Sequence, residues 1–343
     1  MSELARKSVQ RKRLTILVGV YFNEENLPDT IPVLLGLRER MPEVDIDLVF
    51  VDDGSGDNSF AVLRSFQEQW PETISIIRLS RNFGAMHAVL AGFHVAEGDC
   101  VAVLAADLQD PPELLFEMYQ HWLQGARTVL AARESREDRL RDRVFASCYY
   151  YLLRRFALKD YPPRGFDFCL LDRQVVEDIK RINEKNTSLA SLIVWLGYRS
   201  VQIPYVRRKR QKGRSRWTMS KKIKLFIDAF VGFSYFPIRF VSVIGFCFSG
   251  LGILYAMLVA YNKVVHSMPV QGFATTVILI ALTSGLQMVM LGTLGEYLWR
   301  TLDETRKRPP YIIDRVYARK ADPAGPRRPE DGRALTLESD VAR

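Results

Sequence analysis

Short apolar runs and amphipathic stretches alternate through the first third of the chain. Residues 14–22 form a strand-length run ending in the polar Asn23-Glu24-Glu25-Asn26, and Val33, Leu34, Leu37 and Met41 then recur at helical spacing. A second run, 46–51, ends in Asp52-Asp53-Gly54-Ser55. A helix over 60–69, a strand over 74–79, a helix over 86–96 and a strand over 100–105 continue the series, and the last strand ends in Asp107-Leu108-Gln109-Asp110. This alternation predicts an α/β fold, a mostly parallel Rossmann-like sheet with helices on both faces.

The pattern changes character in the last third. No formal charge lies between Arg239 and Lys263, and residues 240–261 are long enough to cross a bilayer core of about 30 Å as a helix. After a break containing Lys263, His266, Pro269 and Gly272, a second apolar run from 273 to about 297 is again long enough. Two such runs in tandem predict a two-helix transmembrane hairpin. The chain then divides into a basic tail (1–12), an α/β domain (13–225), a juxtamembrane segment (226–237), spans at 238–262 and 272–298, and a tail (299–343) expected to be disordered beyond about 316.

Charge sets the orientation. The chain carries +9 overall, concentrated in Arg207, Arg208, Lys209, Arg210, Lys212, Arg214, Arg216, Lys221, Lys222 and Lys224 before the first run, with Arg300, Arg306, Lys307 and Arg308 at the end of the second. The connecting loop has only Lys263. Lys and Arg beside a span favour the cytoplasmic side, so the reading is a plasma (inner) membrane protein with two spans, its α/β domain and both termini cytoplasmic. The first 13 residues are polar and basic and the apolar run after them is strand-length, which is not the pattern of a cleavable signal peptide. The basic cluster suits anionic membrane lipids; without an aromatic stacking platform it argues against nucleic acid as a partner. Cys100, Cys148, Cys169 and Cys247 show no C-x-x-C spacing and read as reduced packing residues.

In open α/β sheets ligands bind beyond the carboxyl ends of the strands, which gathers Glu24, Asp53 and Asp107 around one crevice. Any one of these acids could instead be a helix N-cap. No G-x-G-x-x-G follows the first strand, so a dinucleotide cradle is not indicated. Carboxylates repel phosphate, so a diphosphate held here needs a divalent cation between them, and oxygen ligands imply Mg²⁺ or Mn²⁺.

Four segments, Val20-Tyr21-Phe22-Asn23-Glu24-Glu25-Asn26, Val51-Asp52-Asp53-Gly54-Ser55-Gly56-Asp57, Ser80-Arg81-Asn82-Phe83-Gly84 and Ala106-Asp107-Leu108-Gln109-Asp110-Pro111-Pro112-Glu113, together resemble family 2 glycosyltransferases of the GT-A fold. Phe166-Asp167-Phe168, the run from Arg210 to Trp217, Gly295-Glu296-Tyr297 and Arg308-Pro309-Pro310-Tyr311 are similar to the polyprenyl-phosphate glycosyltransferases, such as bactoprenol glucosyltransferases, undecaprenyl-phosphate aminoarabinose transferases and dolichol-phosphate mannose synthases. The likeness runs from about residue 13 to 316. It implies a nucleotide-sugar donor, a polyprenyl phosphate acceptor and a homo-oligomer, a tetramer in that family. By the same resemblance Phe22, Glu24 and Asp53 frame the nucleoside, Asp107 and Gln109 hold the metal, Arg133, Arg143, Ser147 and Arg210 surround the acceptor phosphate, and Asp167 is an acceptor-side carboxylate; Asp107 and Asp167 are the catalytic pair.

Three positions depart from the family pattern. Phe22 replaces the tyrosine of P-x-Y-N-E, Ala105 removes the first acid of D-x-D, and Phe166 replaces the glycine of G-D-F. Two other readings stand beside the lipid-phosphate transferase. A processive polysaccharide synthase is disfavoured by having two spans and no Q-x-x-R-W; a catalytically silent membrane scaffold is motivated by Ala105.

Overall fold

The computed structural model describes residues 11–135, 140–182, 184–208, 212, 219–266 and 272–320. Strands β1 (Arg13–Val20), β2 (Asp45–Asp52), β3 (Ile74–Leu79) and β4 (Cys100–Ala105) alternate with helices α1 (Leu27–Arg40), α2 (Ser59–Gln69) and α3 (Ala85–Val95). Then follow α4 (Leu114–Leu123), β5 (Thr128–Ser135), α5 (Leu140–Phe156), β6 (Cys169–Asp172), α6 (Arg173–Arg181), α7 (Leu189–Trp195) and β7 (Ser200–Val206). The chain ends in α8 (Met219–Phe233), α9 (Phe236–His266), α10 (Phe273–Thr305) and β8 (Ile313–Tyr317).

The eight strands form one sheet in the order β7-β5-β6-β4-β1-β2-β3-β8. β1 pairs in parallel with β2 and β4, β2 with β3, and β5 with β7, whereas β6 runs antiparallel to β4 and β5, and β8 antiparallel to β3. Successive side chains of β1 alternate between faces. Leu14, Ile16 and Val18 pack with α1, α2 and α4 residues such as Leu34, Leu63 and Met118, while Leu17 packs with Phe93, Val175 and Leu192 of α3, α6 and α7 on the other face. Helix α3 lies very close to the sheet: a Cβ on Gly92 would come within 2.2 Å of Leu17 Cδ1. A glycine there permits the approach.

The apolar hairpin takes the form expected from the sequence. Helices α9 and α10 have 31 and 33 residues; α9 reaches beyond its expected span at both ends and α10 at its C-terminal end. Two apolar windows, Phe236–Asn262 and Thr275–Thr305, are long and apolar enough to cross a membrane, and neither is buried against the rest of the protein. Their outer ends are fastened to the α/β domain. Arg300 of α10 reaches Asp228 of α8 at 2.7 Å, Lys185 Nζ donates to the Asp303 carbonyl at 2.7 Å, and Ser234 Oγ donates to the Phe156 carbonyl at 2.7 Å while the Phe156 and Phe236 rings meet at a tilt, their centroids 4.2 Å apart. Both ends of the hairpin thus meet the same domain.

Two expectations need revision. The tail does not leave the domain at 316: β8 joins the sheet edge, and beyond it Arg319 N donates to Ser75 Oγ and Lys320 N to the Pro71 carbonyl. The rest of the tail lies outside the described residues. Of the four cysteines, Cys100 and Cys169 are packing residues, but Cys148 and Cys247 are exposed.

Candidate functional site

Strand register decides what meets at one edge of the sheet. Gly19 lies opposite Ala105 and Val20 opposite Asp52, so β1, β2 and β4 end level with one another. Their following loops carry Phe22 and Glu24, Asp53 and Asp57, and Asp107 and Gln109. Because β6 is antiparallel, with Cys169 opposite Val103, the Phe166-Asp167-Phe168 segment before it reaches the same edge. Arg133 near the end of β5 joins it, its N–H donating to the Gly165 carbonyl.

The donor-side loops are built by cross-bracing. Phe22 sits at φ 56°, a left-handed conformation uncommon outside glycine, and its N–H donates to Ser55 Oγ at 3.1 Å. Its ring edge faces Tyr21. Glu24 Oε2 accepts the Asn58 N–H at 2.9 Å, so this carboxylate faces the positive N-terminus of α2. Asp53 is almost fully buried, and both its oxygens are engaged: Oδ1 by Phe83 N at 2.7 Å, Oδ2 by Gly84 N at 2.9 Å and Asn82 Nδ2 at 3.0 Å. Burial pushes its pKa up while the Phe83 and Gly84 amides pull it down, the net displacement being upward. Asp53 is thereby a brace for the 80–84 loop, whose backbone crosses Gly54 so tightly that a Cβ there would stand 2.5 Å from the Arg81 carbonyl carbon.

The loop after β4 turns sharply. Leu108 has φ 50°, and Gln109 N donates to Asp107 Oδ1 at 3.3 Å. Gln109 is locked to the chain after β7: its Nε2 donates to the Arg208 carbonyl and its own carbonyl accepts from Arg208 N at 2.9 Å. Asp107 and Gln109 offer a carboxylate and an amide oxygen, both hard donors. Among the described residues no group of three His, Cys, Asp or Glu side chains gathers to cage a metal. A pair of oxygen donors fits a cation whose remaining ligands are substrate phosphates and water, the way Mg²⁺ is usually held.

On the other side of the edge, Arg133 is 5% exposed and ion-pairs with Asp167. Arg207 Nη2 lies 3.7 Å from the same Asp167 oxygen and its Nε 3.6 Å from Asp110. Asp110 is 1% exposed and accepts the Tyr205 hydroxyl. Burial, and then Asp110, push the Tyr205 phenol up to about 12, fixing it as a donor. Two guanidinium groups therefore converge on one half-exposed carboxylate.

Arg133 and Asp167, both singled out from the sequence, meet in the structure, beside three partners that the sequence reading missed. Tyr205 carried no motif, Asp110 was noted without a role, and Arg207 was absorbed into the basic run, although it follows directly on an alternating strand. Ser147 is exposed on α5. The Arg143 side chain and all of Arg210 lie outside the described residues.

The mostly parallel sheet, followed by two long apolar helices, is the architecture of a GT-A transferase, and the chain belongs to glycosyltransferase family 2. The profile described as Glycosyl transferase family 2 matches residues 15–180, β1 into α6. The chain is 36% identical over 304 residues to "Uncharacterized glycosyltransferase YkcC" of Bacillus subtilis (strain 168), spanning 88% of this chain and 94% of that one. It is 31% identical over 306 residues to "Prophage bactoprenol glucosyl transferase homolog" of Escherichia coli (strain K12), spanning 89% and 99%. Among solved structures it is similar to the mannosyltransferase PcManGT from Pyrobaculum calidifontis in complex with GDP-Man and Mn²⁺, at 17% identity and TM-score 0.47 over 87% of this chain and 88% of that one. The protein is a glycosyltransferase, and the silent-scaffold reading is set aside.

Proposed function

We propose that the enzyme moves a sugar from a nucleotide-sugar, a UDP-sugar in our reading, to undecaprenyl phosphate or a similar polyprenyl phosphate at the cytoplasmic face of the plasma membrane. The observation that carries this reading is the convergence of Arg133 and Arg207 on Asp167 at the same sheet edge as Asp107. Arginine forks match phosphate oxygens, so this half of the crevice suits an anionic acceptor. The fastening of both hairpin ends to the domain favours an acceptor presented from the membrane. The relatives named as bactoprenol glucosyl transferases support the same choice.

An acceptor phosphate is already anionic at neutral pH, so its oxygen attacks the anomeric carbon without a strong base. The new C–O bond forms as the bond to the diphosphate breaks, and the electron pair leaves with the nucleoside diphosphate. One displacement inverts the anomeric centre, giving a β-linked lipid phosphate sugar from an α-linked donor. In this scheme Phe22, Glu24 and Asp53 shape the nucleoside side, Arg133, Arg143, Ser147, Arg207 and Arg210 hold the acceptor phosphate, and Asp167 orients it. Catalysis then rests on positioning and charge stabilisation. Asp107 and Gln109 would hold Mg²⁺ or Mn²⁺, which when bound neutralises charge on the leaving diphosphate. The cytoplasmic placement of domain and termini, and the tetramer, belong to the same proposal.

The test uses the purified full chain in vesicles with radiolabelled UDP-glucose and a panel of other nucleotide-sugars. Label should pass to the organic phase with undecaprenyl phosphate and not with undecaprenol. Equal transfer to both would remove the phosphate from the account.

A further inference from the structure

We propose that β8, the strand following the second apolar helix, is a positioning element for the donor-side loops, acting through Arg78. This rests on the reading that those loops bind the nucleotide-sugar. Asp52 is fully buried, and its Oδ2 has no hydrogen-bond partner among the described residues. Arg78 Nε stands 3.6 Å from that oxygen. A buried carboxylate is costly unless compensated, and Arg78 is the cation placed to offset that cost and keep Asp52 seated. Burial pushes the Asp52 carboxyl up and Asp57 adds to this, while the Ser55 donors and Arg78 oppose them, the net displacement being upward.

Asp52 in turn holds the loop. Its Oδ1 accepts Ser55 N at 3.1 Å, and Ser55 Oγ accepts the N–H of Phe22, the residue in left-handed conformation at the site edge. Displacing Asp52 would release both anchors.

Arg78 packs on Phe60 of α2, which in turn meets the far end of the chain. Its guanidinium lies 4.4 Å from the Phe60 ring centroid, Phe60 lies 6.0 Å from Tyr317 of β8, and Arg64 covers the Tyr317 ring at 3.9 Å. Cation–π contacts and aromatic pairs of this kind fix orientation as well as adding energy. β8 pairs along β3 up to Arg78, where the ladder becomes irregular, and Ser80 N donates to the Ile312 carbonyl just beyond. A continuous set of contacts therefore runs from the segment that leaves the hairpin, through Tyr317, Phe60, Arg78, Asp52 and Ser55, to Phe22. The membrane anchor and donor binding are linked through it.

The experiment compares Arg78→Ala, Arg78→Lys, Tyr317→Ala and Tyr317→Phe in the full-length protein by hydrogen exchange and steady-state kinetics. Exchange of the Phe22 and Ser55 amides should rise about tenfold in both alanine variants, with β1 amides unchanged, and Tyr317→Phe should behave as the parent. Arg78→Lys, which keeps a charge near Asp52, should fall between. With UDP-glucose as probe, the donor KM should rise about tenfold in the alanine variants while the KM for undecaprenyl phosphate stays within about twofold. Unchanged loop exchange in either alanine variant overturns the inference, whatever the kinetics. Faster exchange with an unchanged donor KM leaves the coupling standing and overturns the donor reading of the loops.

Discussion

Replacing Asp167 with Asn keeps the shape of the side chain and removes its charge. Arg133 is 3% exposed at its side chain and loses its ion-pair partner, while Arg207 loses the carboxylate it shares with Arg133. Breaking a fully buried pair costs about 3–5 kcal/mol. Asp167 is 52% exposed, so water screens the interaction and the amide oxygen still accepts one hydrogen bond. The expected loss is about 1–2 kcal/mol, below the cost of breaking a fully buried pair. For a domain of this size that lowers Tm by roughly 2–8 °C. Such a loss leaves nearly all molecules folded at 25 °C if the parent has the usual stability of about 5–15 kcal/mol. Transfer to the lipid should nonetheless fall by about 10²-fold or more, since an orienting group at the reacting phosphate is gone. Calorimetry and initial rates on the same preparation separate the two effects. A variant with unchanged Tm and full turnover would refute both the ion pair and the acceptor role.

Four further outcomes are expected. Asp107→Asn should abolish transfer without unfolding the protein, and excess EDTA should stop the parent enzyme until Mg²⁺ or Mn²⁺ is restored; full activity in chelator would refute the metal assignment. Gly54→Ala puts a Cβ 2.5 Å from the Arg81 backbone at φ +64°, so it should cost at least about 2 kcal/mol and weaken donor binding, read by thermal unfolding and donor KM. Asp47 is raised from 3.8 to about 6, by burial first, against Arg319, the Thr15 hydroxyl and Arg13, with Asp45 adding to the rise. A folded pKa above the unfolded one is a penalty that is full above about pH 6 and vanishes below about pH 4, so Asp47→Asn should raise stability at pH 8, by about 3 kcal/mol at most, and lose that advantage near pH 4. Finally, a reporter fused after Arg308 should read cytoplasmic and one near Pro269 external; the reverse would put the crevice away from a cytosolic donor.

The strands up to Ala105 were legible because each apolar run stops at a polar cluster where a parallel strand hands over to a loop. Beyond Asp110 the sequence reading named no strand of the domain. β6 is four residues long, β5 carries Arg133-Glu134 at its end, and β7 contains Pro204 and faces solvent at alternate positions, so none presents an apolar run of more than four residues. β8 lies in the tail just before the part expected to be disordered and was given no element; it is an edge strand whose middle positions, Asp314, Arg315 and Val316, face outward, and only pairing with β3 makes it a strand. The site was legible as a set of motifs, less so as a division of labour. Asp53 looked like a ligand-facing acid, yet its oxygens brace the 80–84 loop. Arg207 looked like one more charge beside the membrane, yet it points at Asp110 and Asp167. Long-range pairing decided both, and spacing along the chain carries no trace of it.

The central claim is that a polyprenyl phosphate receives the sugar. It is tested most directly by mass spectrometry of the lipid extract after the purified enzyme acts on vesicles containing undecaprenyl phosphate and the accepted nucleotide-sugar. The account predicts one new species, undecaprenyl phosphate plus a single anhydrosugar unit, with a β-anomeric phosphodiester linkage. Sugar released only as free monosaccharide, or built into a growing polymer with undecaprenyl phosphate unmodified, would contradict it.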